Sequence, residues 1–130
     1  MNYKELSQDF FEYYKFSNWG KLYDLLNEKI KYEIVWNGVQ YKGREDVFTI
    51  ITEMNNMTDI KKLNLLEIIE YGQQSIIDFK SAYSNKGVIE NVRNCLLIKW
   101  NEQKIIQLTH YTNPINISQK RGHVLLINPS

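Results

Sequence analysis

The chain has 130 residues, 43% hydrophobic, 24% charged and 13% aromatic, with six Gly, two Pro and one Cys. That length suits one domain with its own core, and the composition excludes both disorder and collagen-like or linker character. A formal net charge of +1 supplies no global field toward nucleic acid or anionic lipid, and a single Cys cannot form an internal disulfide or a thiolate metal cage.

From Tyr3 to Tyr14 the apolar positions Tyr3, Leu6, Phe10, Tyr13 and Tyr14 recur at spacings of three and four, the stripe of an amphipathic helix. Ser17-Asn18 breaks that pattern and can cap a short second helix from Trp19, with Trp19, Leu22, Tyr23, Leu25 and Leu26 facing inward. From Lys29 the period falls to two. Ile30, Tyr32, Ile34 and Trp36 alternate with Lys31, Glu33 and Val35, which predicts a strand with one buried face. Asn37-Gly38 turns the chain into a short return strand, Val39 to Lys42. After Gly43 a third helix presents Val47, Phe48, Ile50, Ile51 and Met54, with Glu45 and Asp46 favouring its N-terminus and Asn55-Asn56 ending it.

The remainder reads as strands: Lys62 to Tyr71, Ser75 to Tyr83, Val88 to Trp100, and Lys104 to Thr112, each closed by a turn signal. Three helices followed by a run of antiparallel strands is an α+β layout, so the helices must cover one face of the sheet. Residues 115–130 follow as a C-terminal extension in which Val124 to Ile127 could add an edge strand or a dimer contact. Lys120-Arg121 is too short a cluster to form a nucleic-acid site. No repeat or linker divides the chain, so 1–114 is expected to be one domain. No stretch approaches the ~18 apolar residues of a membrane span, and the N-terminus lacks a secretory layout, so a cytoplasmic address is expected.

This order of elements resembles the nuclear-transport-factor-2-like (SnoaL-like) superfamily. The resemblance is carried by Ser17-Asn18-Trp19-Gly20 after helix one and by Leu22-Tyr23-Asp24-Leu25-Leu26 before the first strand. Tyr41-Lys42-Gly43-Arg44-Glu45-Asp46-Val47 opens helix three, and Gln103 to Pro114 is similar to the superfamily's last strand, with Asn113 where an Asp is common. It implies a cone: a curved antiparallel sheet wrapped around three N-terminal helices, with a ligand cavity between them. On that pattern the inward residues are Phe10 and Tyr14 of helix one, Tyr32, Ile34 and Trp36 of the first strand, Phe48 and Ile51 of helix three, and Asn94, Leu96, Ile98, Trp100, Leu108, His110 and Thr112 of the late strands. The resemblance also implies dimerisation through the outer sheet face, where Arg93, Cys95, Leu97 and Lys99 alternate with the cavity side.

The steroid-isomerase branch uses a carboxylate base and two acidic donors. Their positions fall here on Phe10, Ile34 and Leu96, which carry no polar atoms. A slip turning Glu33 inward would turn Tyr32, Ile34 and Trp36 outward, against the hydrophobic pattern. Dehydratase-like and cyclase-like branches need a His for proton transfer, and His110 is the candidate; its plainer role is a core histidine bonded to Tyr14, Asn94 or a backbone carbonyl. Asp78 alternates with Ile77 and Phe79 and should face solvent. His110 and Cys95 have no clustered partners, so no metal site is expected, and without a Gly-rich phosphate loop or G-x-S-x-G elbow no cofactor is either. The expected function is binding of a small apolar molecule in the cone. The alternative is an isomerase, dehydratase or cyclase using His110 with Tyr14 and Asn94.

Overall fold

A computed structural model describes residues 2–85 and 87–114; the expected extension, 115–130, lies outside them. The elements run α1 (Tyr3–Lys15), α2 (Trp19–Asp24), β1 (Leu26–Ile34), β2 (Val39–Lys42), α3 (Arg44–Asn56), a 3-10 turn (Ile60–Lys62), β3 (Asn64–Tyr71), β4 (Gln74–Asn85), β5 (Val88–Asn101) and β6 (Lys104–Pro114). The α+β class and the sheet curved around helices are as the sequence predicts.

Local chemistry explains the starts of the helices. Asn2 Oδ1 accepts from the Glu5 backbone N–H at 3.0 Å and caps α1. Asn18 takes the cap position of α2, yet its side chain makes no capping bond. Gly43 precedes α3 with φ +91°, a left-handed conformation that a side chain would strain. The face that α1 buries is rotated from the expected stripe: Ser7 and Phe11 are buried with Tyr3 and Phe10, whereas Leu6 and Tyr13 are half-buried.

The six strands are ordered β2-β1-β6-β5-β4-β3. Four of the pairings are antiparallel, but β1 runs parallel to β6, which corrects the expectation of a wholly antiparallel sheet. The reason is connectivity: everything from β2 to β5 lies between these two strands, long enough to carry the chain back to the same end. Register shifts between Leu26 and Lys31, Leu65 and Glu67, and Lys99 and Trp100 interrupt the ladders. Bulges of this kind increase local twist and bend the strands.

At one end of the cone, Leu22, Leu26, Ile30, Ile98, Trp100 and Ile105 are all but inaccessible to solvent. Each such side chain stabilises the fold by roughly 1.5–3 kcal/mol through burial. Trp100 stacks on Tyr3 with ring centroids 5.4 Å apart. Its indole Nε1–H donates to Ser75 Oγ at 2.9 Å, and Ser7 Oγ donates to the same oxygen at 2.6 Å. Ser75→Ala therefore strands two buried donors and should cost about 1–3 kcal/mol. Urea denaturation measures that loss.

Candidate functional site: a cavity in the open end of the cone

Where the C-terminal halves of α1 and α3 stand away from the sheet, the fold encloses a cavity of about 660 Å3. Phe10, Tyr14, Tyr32, Ile34, Trp36, Asn94, Leu96, Leu108, His110 and Thr112 line it, as does Ile51 from α3. Three expected inward residues lie elsewhere: Phe48 packs against Trp19 and Tyr23, Ile98 is fully buried in the closed end, and Trp100 is 1% exposed there and stacked on Tyr3. The bulge at Lys99/Trp100 and the taper of the cone put it below the cavity floor. Trp36 reaches the cavity from the β1–β2 turn rather than from a strand, because β1 ends at Ile34; it is 68% exposed and marks the mouth with Asn37 and Met57.

Sequence reasoning missed Phe11, Asn37, Tyr41, Ile50, Met54, Met57, Thr58, Leu63, Ile77, Phe79, Ser81, Glu90 and Val92 as lining residues. Phe79 and Ser81 were legible, since they share the period-two face of β4 with Ile77. Met57 and Thr58 follow the end of α3, where no periodic signal exists.

His110 is 6% exposed and sits in a line of side chains. Its Nδ1 lies 2.8 Å from the Tyr32 hydroxyl and its Nε2 lies 2.9 Å from Asn94 Oδ1. Asn94 Nδ2 donates to Ser81 Oγ at 2.9 Å, and Thr112 Oγ donates to Asn94 Oδ1 at 3.4 Å. The strand register brings these groups together: Leu96 pairs with His110, Asn94 with Thr112 and with Phe79, and Ile34 with His110. Tyr14, one of the anticipated partners of His110, instead bonds Thr58, 3.4 Å from its hydroxyl.

Burial dominates the electrostatics. It pushes His110 down to about 4, so the ring is neutral at physiological pH. The Tyr32 and Tyr14 hydroxyls are both raised, chiefly by burial. Asp78 is on the outer face, where Arg93 grips it with bonds of 2.7 and 3.1 Å and holds its carboxyl below the usual range; it cannot orient His110. Glu33 is likewise absent from the cavity, and Tyr32 and Ile34 point inward in its place. Among the described residues no group of three or more His, Cys, Asp and Glu could hold a metal ion, and no helix is long and apolar enough to cross a membrane.

This geometry has close counterparts among solved structures. The chain has the NTF2-like fold. It is similar to a candidate ketosteroid isomerase from Kribbella flavida DSM 17836, with TM-score 0.74 and 13% identity over 98% of this chain and 82% of that one. It is also similar to an NTF2-like protein of unknown function from Cytophaga hutchinsonii ATCC 33406, with TM-score 0.69 and 20% identity over 85% and 98%. A candidate SnoaL-like polyketide cyclase from Shewanella putrefaciens CN-32 aligns with TM-score 0.71 and 9% identity over 86% and 90%. No family model matches the chain, and no curated protein does. At these identities the NTF2-like likeness establishes the fold alone.

The depressed pKa of His110 has a thermodynamic consequence. Between pH 6.5 and about 4 the unfolded chain takes up a proton on this residue and the folded chain does not. Stability must therefore fall as pH is lowered through that window, by about 3 kcal/mol from this group. Denaturation curves of the wild type and His110→Gln across pH 4–7 should differ by that slope, the variant losing less stability on acidification.

Proposed function

We propose that the protein binds a small, neutral, largely apolar molecule in the open end of its cone. The observation that carries this reading is a cavity of about 660 Å3 whose walls are mostly aliphatic and aromatic and whose buried polar groups are uncharged. Pockets of this size and character are typical of small-molecule sites. The His110–Tyr32–Asn94 line gives the occupant a polar end to orient against.

The absence of buried charge in the wall, where Glu90 is only half-buried, is testable, because burying an unpaired charge is costly. Calorimetry should show 2-naphthol binding at least ~tenfold more tightly than 2-naphthoate, a difference of about 1.4 kcal/mol. Ile50→Trp, which fills part of the cavity, should weaken 2-naphthol by a similar factor with the helical and sheet signal intact. Equal affinity for the two probes, or no binding of either, overturns the reading.

A second reading, proton transfer by His110 in an isomerase, dehydratase or cyclase, is favoured by one observation. The ring is neutral, and its Nδ1 stands 2.8 Å from the Tyr32 hydroxyl, so it has basic capacity at neutral pH. The Asn94 half of the anticipated set is in contact with His110, and Tyr14 is not.

The outer face of the sheet supports a homodimer. Ile76 pairs with Leu97, and Asp78 with Cys95, which in turn pairs with Tyr111, so a half-buried apolar strip is flanked by the Asp78–Arg93 ion pair. Cys95 is a free thiol, raised by burial, on this strip, and a lone free cysteine fits the cytoplasm we assign to the protein. Sedimentation should give a dimer that Leu97→Glu converts to a monomer without weakening 2-naphthol binding. A monomeric wild type at high concentration rules the dimer out.

A further inference from the structure

The line of side chains through His110 has a direction. A neutral imidazole carries one ring hydrogen, and which nitrogen bears it is set by the partner of each. Nε2 faces a carbonyl oxygen, Asn94 Oδ1, at 2.9 Å. That oxygen has no hydrogen to give, so the ring hydrogen sits on Nε2. Nδ1 is then bare and accepts the Tyr32 O–H across 2.8 Å. On the far side the Asn94 Nδ2 donates to Ser81 Oγ at 2.9 Å, a hydroxyl that accommodates the amide in this orientation. The opposite direction would require the amide to turn over and His110 to donate to Tyr32. Of a phenol and an imidazole, the phenol is the better donor and the bare ring nitrogen the better acceptor. The phenol end of the line therefore sets this arrangement.

The second tyrosine of the wall is committed in the same sense. Thr58 Oγ donates to the Met54 carbonyl at 2.8 Å. Having spent its hydrogen there, it can only accept from Tyr14, whose hydroxyl is 3.4 Å away. Met54 Sδ, 3.3 Å from the Tyr32 hydroxyl, is a second acceptor for the same hydrogen, weaker than the ring nitrogen. Both tyrosine hydroxyls thus have their hydrogens turned toward the protein, and both residues line the cavity.

We propose that Asn94 is a positioning residue whose carbonyl holds the ring hydrogen of His110 on Nε2, so that Tyr32 presents its oxygen to the cavity as an acceptor and selects an apolar ligand bearing a hydroxyl (a phenol, an enol or an alcohol) over the corresponding ether or hydrocarbon. This inference rests on the cavity being a small-molecule site. Ser81, which accepts from Asn94, lies on the same wall as a hydroxyl able to donate. A ligand hydroxyl, which both gives and accepts, complements such a wall. An ether can only accept.

Long-range proton–nitrogen correlation on the 15N-labelled chain at neutral pH reads the tautomer directly, with His123→Gln assigning the two imidazoles. The expected result is Nε2 protonated and Nδ1 bare for His110. Asn94→Leu, which removes the acceptor opposite Nε2, should shift the ring toward a mixture. Calorimetry with 2-naphthol, 2-methoxynaphthalene and naphthalene should show the phenol binding about tenfold more tightly than either of the others. Tyr32→Phe should bring that preference close to unity. A wild-type ring protonated on Nδ1, or equal binding of phenol and ether, overturns the inference while leaving the cavity reading intact. If none of the three probes binds, the cavity reading fails and the inference falls with it. The wild-type tautomer is readable even where a variant does not fold.

Discussion

A sheet bent around helices has to taper, and the taper decides what each end of this molecule can do. At the narrow end the first strand, the last two strands and α2 come close enough for Leu22, Leu26, Ile30, Ile98, Trp100 and Ile105 to fill all the space between them. Side chains there interlock at the density of a crystal, and nothing else can enter. At the wide end the same elements diverge, and even large residues such as Phe10, Phe79 and Trp36 reach only the walls. The cavity is the geometric remainder of the curvature. The packed end stabilises the whole, so the open end need not be filled by side chains.

Placing a histidine, an asparagine and two hydroxyls in such a wall is costly unless each finds a partner. Here each does, in a line running from Ser81 to Tyr32. The hydrogen bonds of this line join hydroxyl, amide and imidazole groups. The acidic groups nearest in sequence, Glu33 and Asp78, alternate onto the outer face of the sheet, where Asp78 is paired with Arg93. A buried carboxylate against His110 would hold a proton on the ring and put charge into the cavity. Its replacement by an amide keeps the ring neutral and makes the network a matter of hydrogen-bond direction.

Helical spacing in α1 and strict alternation in β1, β5 and β6 made the fold class and most of the element order legible. They also place Tyr32, Ile34, Asn94, Leu96, Leu108, His110 and Thr112 on the inner face, where the structure has them lining the cavity. Periodicity says which face a residue is on, but not how far along the cone it lies. That is why Trp100, on the same face as Leu96, sits beneath the cavity rather than in it. The parallel pairing of β1 with β6 was equally hidden, because strand direction between elements so distant in sequence is fixed by the intervening crossover and not by either strand. The contacts at Thr58 and Met57 come from the frayed end of a helix and leave no pattern to read. Tyr14 illustrates the remaining gap: its face was legible, but the hydrogen bond that takes its hydroxyl to Thr58 depends on α3 ending within reach.

On this scaffold the three positions that resemble those of a steroid-isomerase site, Phe10, Ile34 and Leu96, all reach the cavity and offer only carbon. A carboxylate base is absent from them, and so is an acid able to donate to a developing oxyanion. Polarity is concentrated instead at Tyr32, Asn94 and His110, contributed by β1, β5 and β6. Those groups are already satisfied by one another, so they interact with a ligand through their remaining lone pairs and hydrogens rather than through charge. On the proposed reading, discrimination follows from two things: the apolar shape of the space, which disfavours ions, and the direction of a few hydrogen bonds, which separates a hydroxyl from its ether. One fold can thus serve different chemistries by moving polar groups from one wall of its cone to another.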